Sequence, residues 1–569
     1  MKLLIVGGYG TFGGRIVELL DGEPRLTLIV AGRSLARAET YCNSRVGASA
    51  RLIPAMFDRD GDLAAQLGAL MPNIVVDASG PFQAYGAGRY RLVEACIAAR
   101  MNYLDLADGS DFVAGVSAFD ATAKRQGLFV LSGVSSFPVL TAAVVRRLSI
   151  GLAHVDSIRG GIAPSPFAGV GENVIRAIAS YAGQPVQLVR DGSLQQGRPL
   201  TEQMRCTIAP PGRLPLRNTL FSLVDVPDLR ALAALWPEAR TIWMGAGPVP
   251  EALHRALIGL AWLVRIGLVR SLSPLAPLMH WATNRLSWGE HRGGMFVAVE
   301  GVDPTGRPAK HSWHLLAEGD DGPLIPSMAV EALVRKALDG QAPSPGARAA
   351  VRDLELADYE ALFATKTIHT GFRDDTDDDQ PLYPALLGDA WPALPAEIQT
   401  MHDRTMAADG RASVERGGGM LSRLAARLVG FPGAAADVPV KVRFDTDGKG
   451  ETWTRTFGAH SFSSRQLAGR GRSERLLVER FGPLAFAMAL VAGEGRLTLV
   501  LRRWSLLGLP LPMWLCPRST SYETVEDGRF RFHVEISHPL TGLIVRYRGW
   551  LEPAAQRRSD VPSPAVLSG

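Results

Sequence analysis

Short apolar runs alternate with stretches of helical period over the first 150 residues. Residues 3–6, 26–30, Ile74–Asp77 and 127–131 read as strands, and residues 14–20, 90–99 and 119–126 read as helices. Strands that alternate with helices predict a parallel, doubly wound α/β sheet of the Rossmann type over residues 1–150. From 151 to 322 strand-like segments dominate (157–162, 295–299, 312–317), with a helix at Glu172–Tyr181 between them. This predicts an inserted α+β domain for substrate contacts or dimerisation. A helix near 326–340 is expected to return the chain to the first domain.

Asp374, Asp375, Asp377, Asp378 and Asp379 precede Gln380-Pro381 and mark an acidic linker, placed at 365–381. The spaced ligands and central glycine of a calcium loop are missing from it. Beyond it, residues 438–444, 452–457, 484–490, 496–501, 530–536 and 543–550 are short strand-like runs separated by turn residues. They predict a mainly antiparallel β domain over 382–553, as a curved sheet or a barrel. The Pro/Ser-rich stretch 554–569 reads as a disordered tail.

The most apolar stretch is 252–281. Arg255, Arg265 and Arg270 interrupt it, leaving uncharged runs of about ten residues, where a spanning helix needs about 20. A buried or lid-forming helical pair is the first expectation, and a peripheral membrane contact is the sharper alternative.

Composition narrows the class. The chain has 569 residues, 47% hydrophobic and 21% charged, which excludes a disordered or collagen-like protein. A net charge of +5 over this length gives no reason to expect nucleic acid as a partner. Of the 61 basic residues only 7 are Lys, which reads as a GC-rich bacterial coding bias. Cys42, Cys96, Cys206 and Cys516 are far apart, so neither disulfides nor a metal site is signalled, and a reducing cytoplasm is expected. The opening MKLLIVGGYG lacks the features of a signal peptide.

One motif carries chemistry. Gly8-Tyr9-Gly10-Thr11-Phe12-Gly13 is GxGxxG, placed directly after a strand and opening a helix. Gly8 is expected to permit the tight turn, Gly10 to let a pyrophosphate approach the helix N-terminus, and Gly13 to let helix and strand pack closely. At the end of the second strand an NAD site usually carries an acid for the ribose hydroxyls. Here the chain reads Val30-Ala31-Gly32-Arg33-Ser34. Arg33 and Ser34 suit a 2′-phosphate, so NADP(H) is expected ahead of NAD(H). Ser79, Gly80 and Pro81 follow the Ile74–Asp77 strand and are expected to border the same ligand.

The segments GGYGTFGGRI, DASGPFQAYG, CIAARMNYLDLADGSDF and GLFVLSGVSSFPVLT, in this order and spacing, resemble the saccharopine dehydrogenase-like family. GQPVQLVRDG, RGGMFVAVEGVDPTG and EGDDGPLIPSMAVEALVRKAL continue the likeness, to about residue 365. From about 380 the chain resembles an uncharacterised bacterial domain fused behind such reductase-like halves. The resemblance implies an NADP-linked oxidoreductase with a nucleotide domain and an inserted domain, and carries over to Gly8–Gly13, Arg33 and Ser34, then to Ser79–Pro81 and 105–108. Saccharopine enzymes hold an amino-diacid with polar groups in the second domain. The apolar 252–281 departs from that and points to an apolar or lipid-like substrate.

Hydride transfer needs a group that gives or takes a proton. Tyr103, Asp105, Asp108 and Ser135 are the candidates, with His311 behind them. His311 and His314 lie three apart in a strand, so they face opposite sides and cannot share a metal. Two readings stand: an NADP(H)-dependent oxidoreductase, and a non-catalytic dinucleotide-sensing or lipid-binding scaffold.

Overall fold

The computed structural model describes residues 1–376, 380–403, 405–447 and 450–554. The chain divides into two units, one of residues 1–210 and 216–376, the other of 211–215 and 377–569. The inner acidic positions 377–379 and the expected tail beyond Ala554 lie outside the described residues.

The first unit opens with a seven-stranded parallel sheet. Its spatial order is Gly346–Ala349, Phe129–Ser132, Asn102–Asp105, Ile74–Asp77, Lys2–Val6, Thr27–Gly32, Arg51–Met56. The central strands read as unbroken apolar runs because helices cover both faces. Lys2–Val6 and Ile74–Asp77 are neighbours although far apart in sequence. The chain order reverses between them, which opens a crevice beyond their carboxyl ends. The helix Ile325–Leu338 packs on the first helix, Thr11–Leu20, and Ser327 Oγ donates to the Phe12 carbonyl at 3.3 Å.

A second seven-stranded sheet is mixed. Its order is Gln203–Cys206, Thr219–Leu223, Thr241–Ala246, His154–Ala163, Arg292–Val302, Pro308–Glu318, Ile368–Asp374. Thr241–Ala246 runs parallel to His154–Ala163, and the other pairs are antiparallel. The last strand corrects the linker placed at 365–381: its segment Ile368–Asp374 completes this sheet. It escapes a reading by alternation because it is a half-buried edge strand with a glycine at its centre.

The apolar stretch folds as two helices, Glu251–Arg265 and Ala276–Arg285. Ala261, Val264 and Ala276 pack with Ile175 and Ala179 of the helix Glu172–Tyr181. The remaining side leaves Trp262, Leu278 and Trp281 exposed. No helix among the described residues is long and apolar enough to cross a membrane.

The second unit is built on a closed antiparallel barrel. In ring order its ten strands are Met406–Arg416, Ala435–Thr446, Glu451–Phe457, His460–Ala468, Leu477–Phe481, Leu484–Gly493, Arg496–Leu506, Arg518–Glu526, Arg529–His538 and Gly542–Pro553. Gly542–Pro553 pairs with Met406–Arg416 and closes the ring. The short strand Leu509–Leu511 folds back on Arg496–Leu506. Closure removes the unpaired edges that an open sheet would present.

Candidate dinucleotide and reaction site

A cleft of about 740 Å³ lies beyond the carboxyl ends of the parallel strands, between the parallel sheet and the helix Glu172–Tyr181. Tyr9, Gly10, Thr11, Phe12, Arg33, Ser34, Ser79, Gly80, Pro81, Asp108 and Ser135 all line it. The expected cofactor residues Gly8 and Gly13 stand behind this surface and act by packing. A Cβ on Gly13 would lie 2.2 Å from the Gly7 carbonyl, and one on Gly8 would lie 2.9 Å from the Ile5 carbonyl. The tight turn itself falls one residue earlier than expected, on Gly7, whose φ of +79° favours glycine. Gly10 caps the Thr11–Leu20 helix and faces the cleft. The N–H groups of Thr11, Phe12 and Gly13, in the first turn of this helix, have no acceptor within it, which leaves its N-terminus open toward the cleft.

At the end of the second strand Arg33 and Arg37 are both exposed on the cleft. Ser34 caps the helix Leu35–Ser44 by accepting from the Arg37 N–H at 3.4 Å, which leaves its hydroxyl proton free to donate. The Tyr9 hydroxyl accepts from the Ser34 N–H at 3.0 Å, and the Arg37 guanidinium lies 4.9 Å from the Tyr9 ring. The second strand itself ends in two cations and no acid, while Asp58 and Asp60, just past the neighbouring strand Arg51–Met56, line the same cleft. Arg37 was not read from the sequence, although its four-residue spacing from Arg33 was the available signal.

The Ser79–Pro81 loop is held from several sides. Ser79 Oγ donates to the buried Asp77 at 2.5 Å and meets the Tyr85 hydroxyl at 2.8 Å. Arg59 pairs with Asp77 at 3.0 Å and stacks 3.4 Å from the Tyr85 ring centre. Asn173 Nδ2 reaches across from the inserted helix to the Gly80 carbonyl at 2.9 Å. Arg59, Tyr85 and Asn173 line the cleft too, and no hydrophobic period or motif in the chain points to them.

Two proton-transfer candidates are corrected. Tyr103 is fully buried against the Leu92–Cys96 side of the sheet, away from the cleft. Asp105 is also fully buried. Its Oδ1 accepts from Gly133 N–H, Ala107 N–H and Ser132 Oγ at 2.8–3.0 Å, so it ties strand ends together. Its Oδ2 has no partner, and burial pushes its pKa up to about 7. Asp108 does line the cleft, accepting from Gln83 Nε2 at 3.0 Å. Burial, with the nearby Asp225 carboxylate, raises its pKa. His311 Nδ1 meets the Leu148 carbonyl at 2.9 Å, and His314 is buried beside Ser312, so both serve the second sheet.

The parallel sheet, its glycine turn and the open helix end define a nicotinamide dinucleotide-binding domain of the oxidoreductase class. Residues 3–131 match the family model described as Saccharopine dehydrogenase NADP binding domain. Residues 394–551 match a Domain of unknown function, DUF4166. The amino-terminal part is thus a saccharopine dehydrogenase-type nucleotide-binding domain, fused to an uncharacterised one. No curated protein matches the chain significantly. Among solved structures, the L-Glu-forming saccharopine dehydrogenase of Saccharomyces cerevisiae is similar at 13% identity, covering 66% of this chain and 99% of its own, with a TM-score of 0.48. A biliverdin reductase from Synechocystis sp., in complex with biliverdin and NADP+, is similar at 12% identity, covering 63% and 94%, with a TM-score of 0.30. A probable dehydrogenase from Thermotoga maritima is similar at 10% identity, covering 63% and 93%, with a TM-score of 0.30.

Proposed function

We propose that the protein is an NADP(H)-dependent oxidoreductase acting on an apolar, lipid-like substrate, and that Asp108 handles the proton. The observation that carries the cofactor choice is the pair Arg33 and Arg37 at a strand end that lacks a carboxylate. NADPH, when bound, supplies the hydride. The chain's own residues then do three things. The open end of the Thr11–Leu20 helix and the arginines hold phosphate groups. Asn173 braces the Ser79–Pro81 loop from the inserted helix. Asp108, whose carboxyl pKa is raised by burial, lines the cleft and is the group that hands a proton to a substrate oxygen that becomes an alcohol.

The substrate class rests on the helix pair 251–285. It packs on the helix Glu172–Tyr181, whose first residues line the cleft, and its other side exposes Trp262, Leu278 and Trp281. Indole rings and leucines beside arginines suit the surface of a membrane, from which an apolar substrate would reach the cleft.

The test is a screen of long-chain carbonyl compounds for substrate-dependent NADPH oxidation by the full chain. Asp108→Asn should lower kcat by about 10²- to 10⁴-fold with NADPH binding retained. NADPH binding without turnover of any substrate would favour the dinucleotide-sensing scaffold instead.

A further inference from the structure

The barrel of the second unit encloses a chamber of about 290 Å³, near the lower end of the range for small-molecule sites. Strand registers give the chamber a direction. The connections 458–459, 482–483, 507–517 and 539–541 lie at one end of the barrel, with the segment carrying the helix Met420–Val429. The connections 469–476, 494–495 and 527–528 lie at the other, which His402 closes. His402 Nε2 meets Glu523 Oε2 at 2.7 Å, and its ring stacks 3.8 Å from Tyr383. The Tyr383 hydroxyl donates to Gln466 Oε1 at 3.0 Å. This end is therefore a packed floor.

The other end is a mouth. Ala425 and Val429 of the helix line the chamber. Around this end Met420, Leu424, Leu507, Leu509, Trp514 and Leu540 are each 58–87% exposed. Along the walls Phe481, Leu499, Leu501, Phe532, Val534 and Ile536 alternate inward, yet stay only partly buried. Apolar side chains aimed into a barrel normally fill it. Here they face space that an apolar body can occupy.

The polar groups on the wall decide what such a body carries at its end. Arg455 is already met by Glu479 at 2.9 Å and by Ser464 at 2.7 Å. The chamber also presents Glu523 and Gln466. An anionic head would meet Glu479 and Glu523 with no uncommitted cation among the described lining residues. A hydroxyl can donate to them. We infer that the barrel is a binding chamber for a neutral, hydroxyl-ended amphiphile, its alkyl portion along the Leu499–Phe532 walls and its polar end toward Glu479 and Glu523.

The full chain is titrated with N-phenyl-1-naphthylamine, whose fluorescence rises in apolar surroundings, and the bound probe is displaced with 1-dodecanol or dodecanoate at pH 8. We expect displacement by the alcohol at concentrations at least about tenfold below those for the carboxylate. Val534→Trp and Leu499→Trp, which fill the chamber, should each weaken probe binding by about tenfold or more. Glu479→Gln, which leaves Arg455 less neutralised, should shrink the alcohol-over-carboxylate preference. No fluorescence rise, equal displacement by the two competitors, or unchanged probe binding in both tryptophan variants with native circular dichroism would overturn the assignment. Where the tryptophan variants fail to fold, the Glu479→Gln shift decides: an unchanged preference rejects the polar end, and a reduced one supports it.

Discussion

Arg33 shows how much one side chain can decide. It sits where a ribose carboxylate would stand in an NAD site, with Arg37 also on the cleft. A charge-assisted contact on an exposed surface should give NADPH an advantage of roughly 10- to 100-fold over NADH. Arg33→Asp should remove that attraction, repel the 2′-phosphate and accept from the NADH ribose. The expected outcome is an inverted preference in fluorescence titrations, with parent NADPH binding weakening more steeply with salt than NADH binding. A ratio unchanged by the substitution would show that Arg33 does not read the phosphate. Asp105 makes the opposite case, because it was legible as an acid near a strand end but not as a buried one. Its neighbours' burial decided its role, and neighbours are what a single sequence hides. Its carboxyl rises from 3.8 to about 7, as does that of the fully buried Asp228. Between those values the folded state holds protons that the unfolded chain has released. Stability is therefore greatest below about pH 4 with respect to these groups and falls as pH rises through 7, by on the order of 1–4 kcal/mol each. Asp105→Asn should flatten that decline in urea melts run between pH 5 and pH 8. An equally steep decline in the variant would assign it elsewhere.

At the scale of elements, legibility followed burial on two faces. Lys2–Val6, Ile74–Asp77 and Phe129–Ser132 are unbroken apolar runs, and each was read close to its true position. Gly346–Ala349 was not read, because Gly-Ala-Arg-Ala carries no hydrophobic pattern and is placed by pairing with Phe129–Ser132. The segment 252–281 was legible as a helical pair, but its two faces were not. Leu260 packs toward the core of the inserted helix, whereas Trp262, Leu278 and Trp281 face outward. The exposed trio is therefore the set to change. Serine at all three positions should lower partitioning onto anionic vesicles by about tenfold or more, with melting temperature little altered. Parent-like partitioning in a folded triple variant would refute the membrane contact.

At the scale of the molecule, the chain's bipartite organisation was legible from its change of rhythm, from alternating strands and helices to closely spaced strands. The place to divide it was not. Acidic composition put the boundary inside 365–381, but the sheet of the first unit needs Ile368–Asp374 to cover Pro308–Glu318. Arg373 is buried there, its Nε donating to the Ala209 carbonyl at 2.8 Å. A chain ending before Ile368 would strip a whole row of backbone partners from Pro308–Glu318 and expose Trp313, which is fully buried. A chain ending at Thr376 keeps both. It also keeps every residue of the dinucleotide cleft, all of which lie in the first unit. Residues 211–215, which belong with the second unit, lose their setting. The 1–376 chain should therefore be soluble, melt cooperatively and bind NADPH within about threefold of the full chain, with new protease sensitivity at 211–215. The 1–367 chain should aggregate or melt without a sharp transition. Equal behaviour of the two truncations would show that the edge strand is dispensable. Failure of 1–376 to bind NADPH would show that the first unit is not complete on its own.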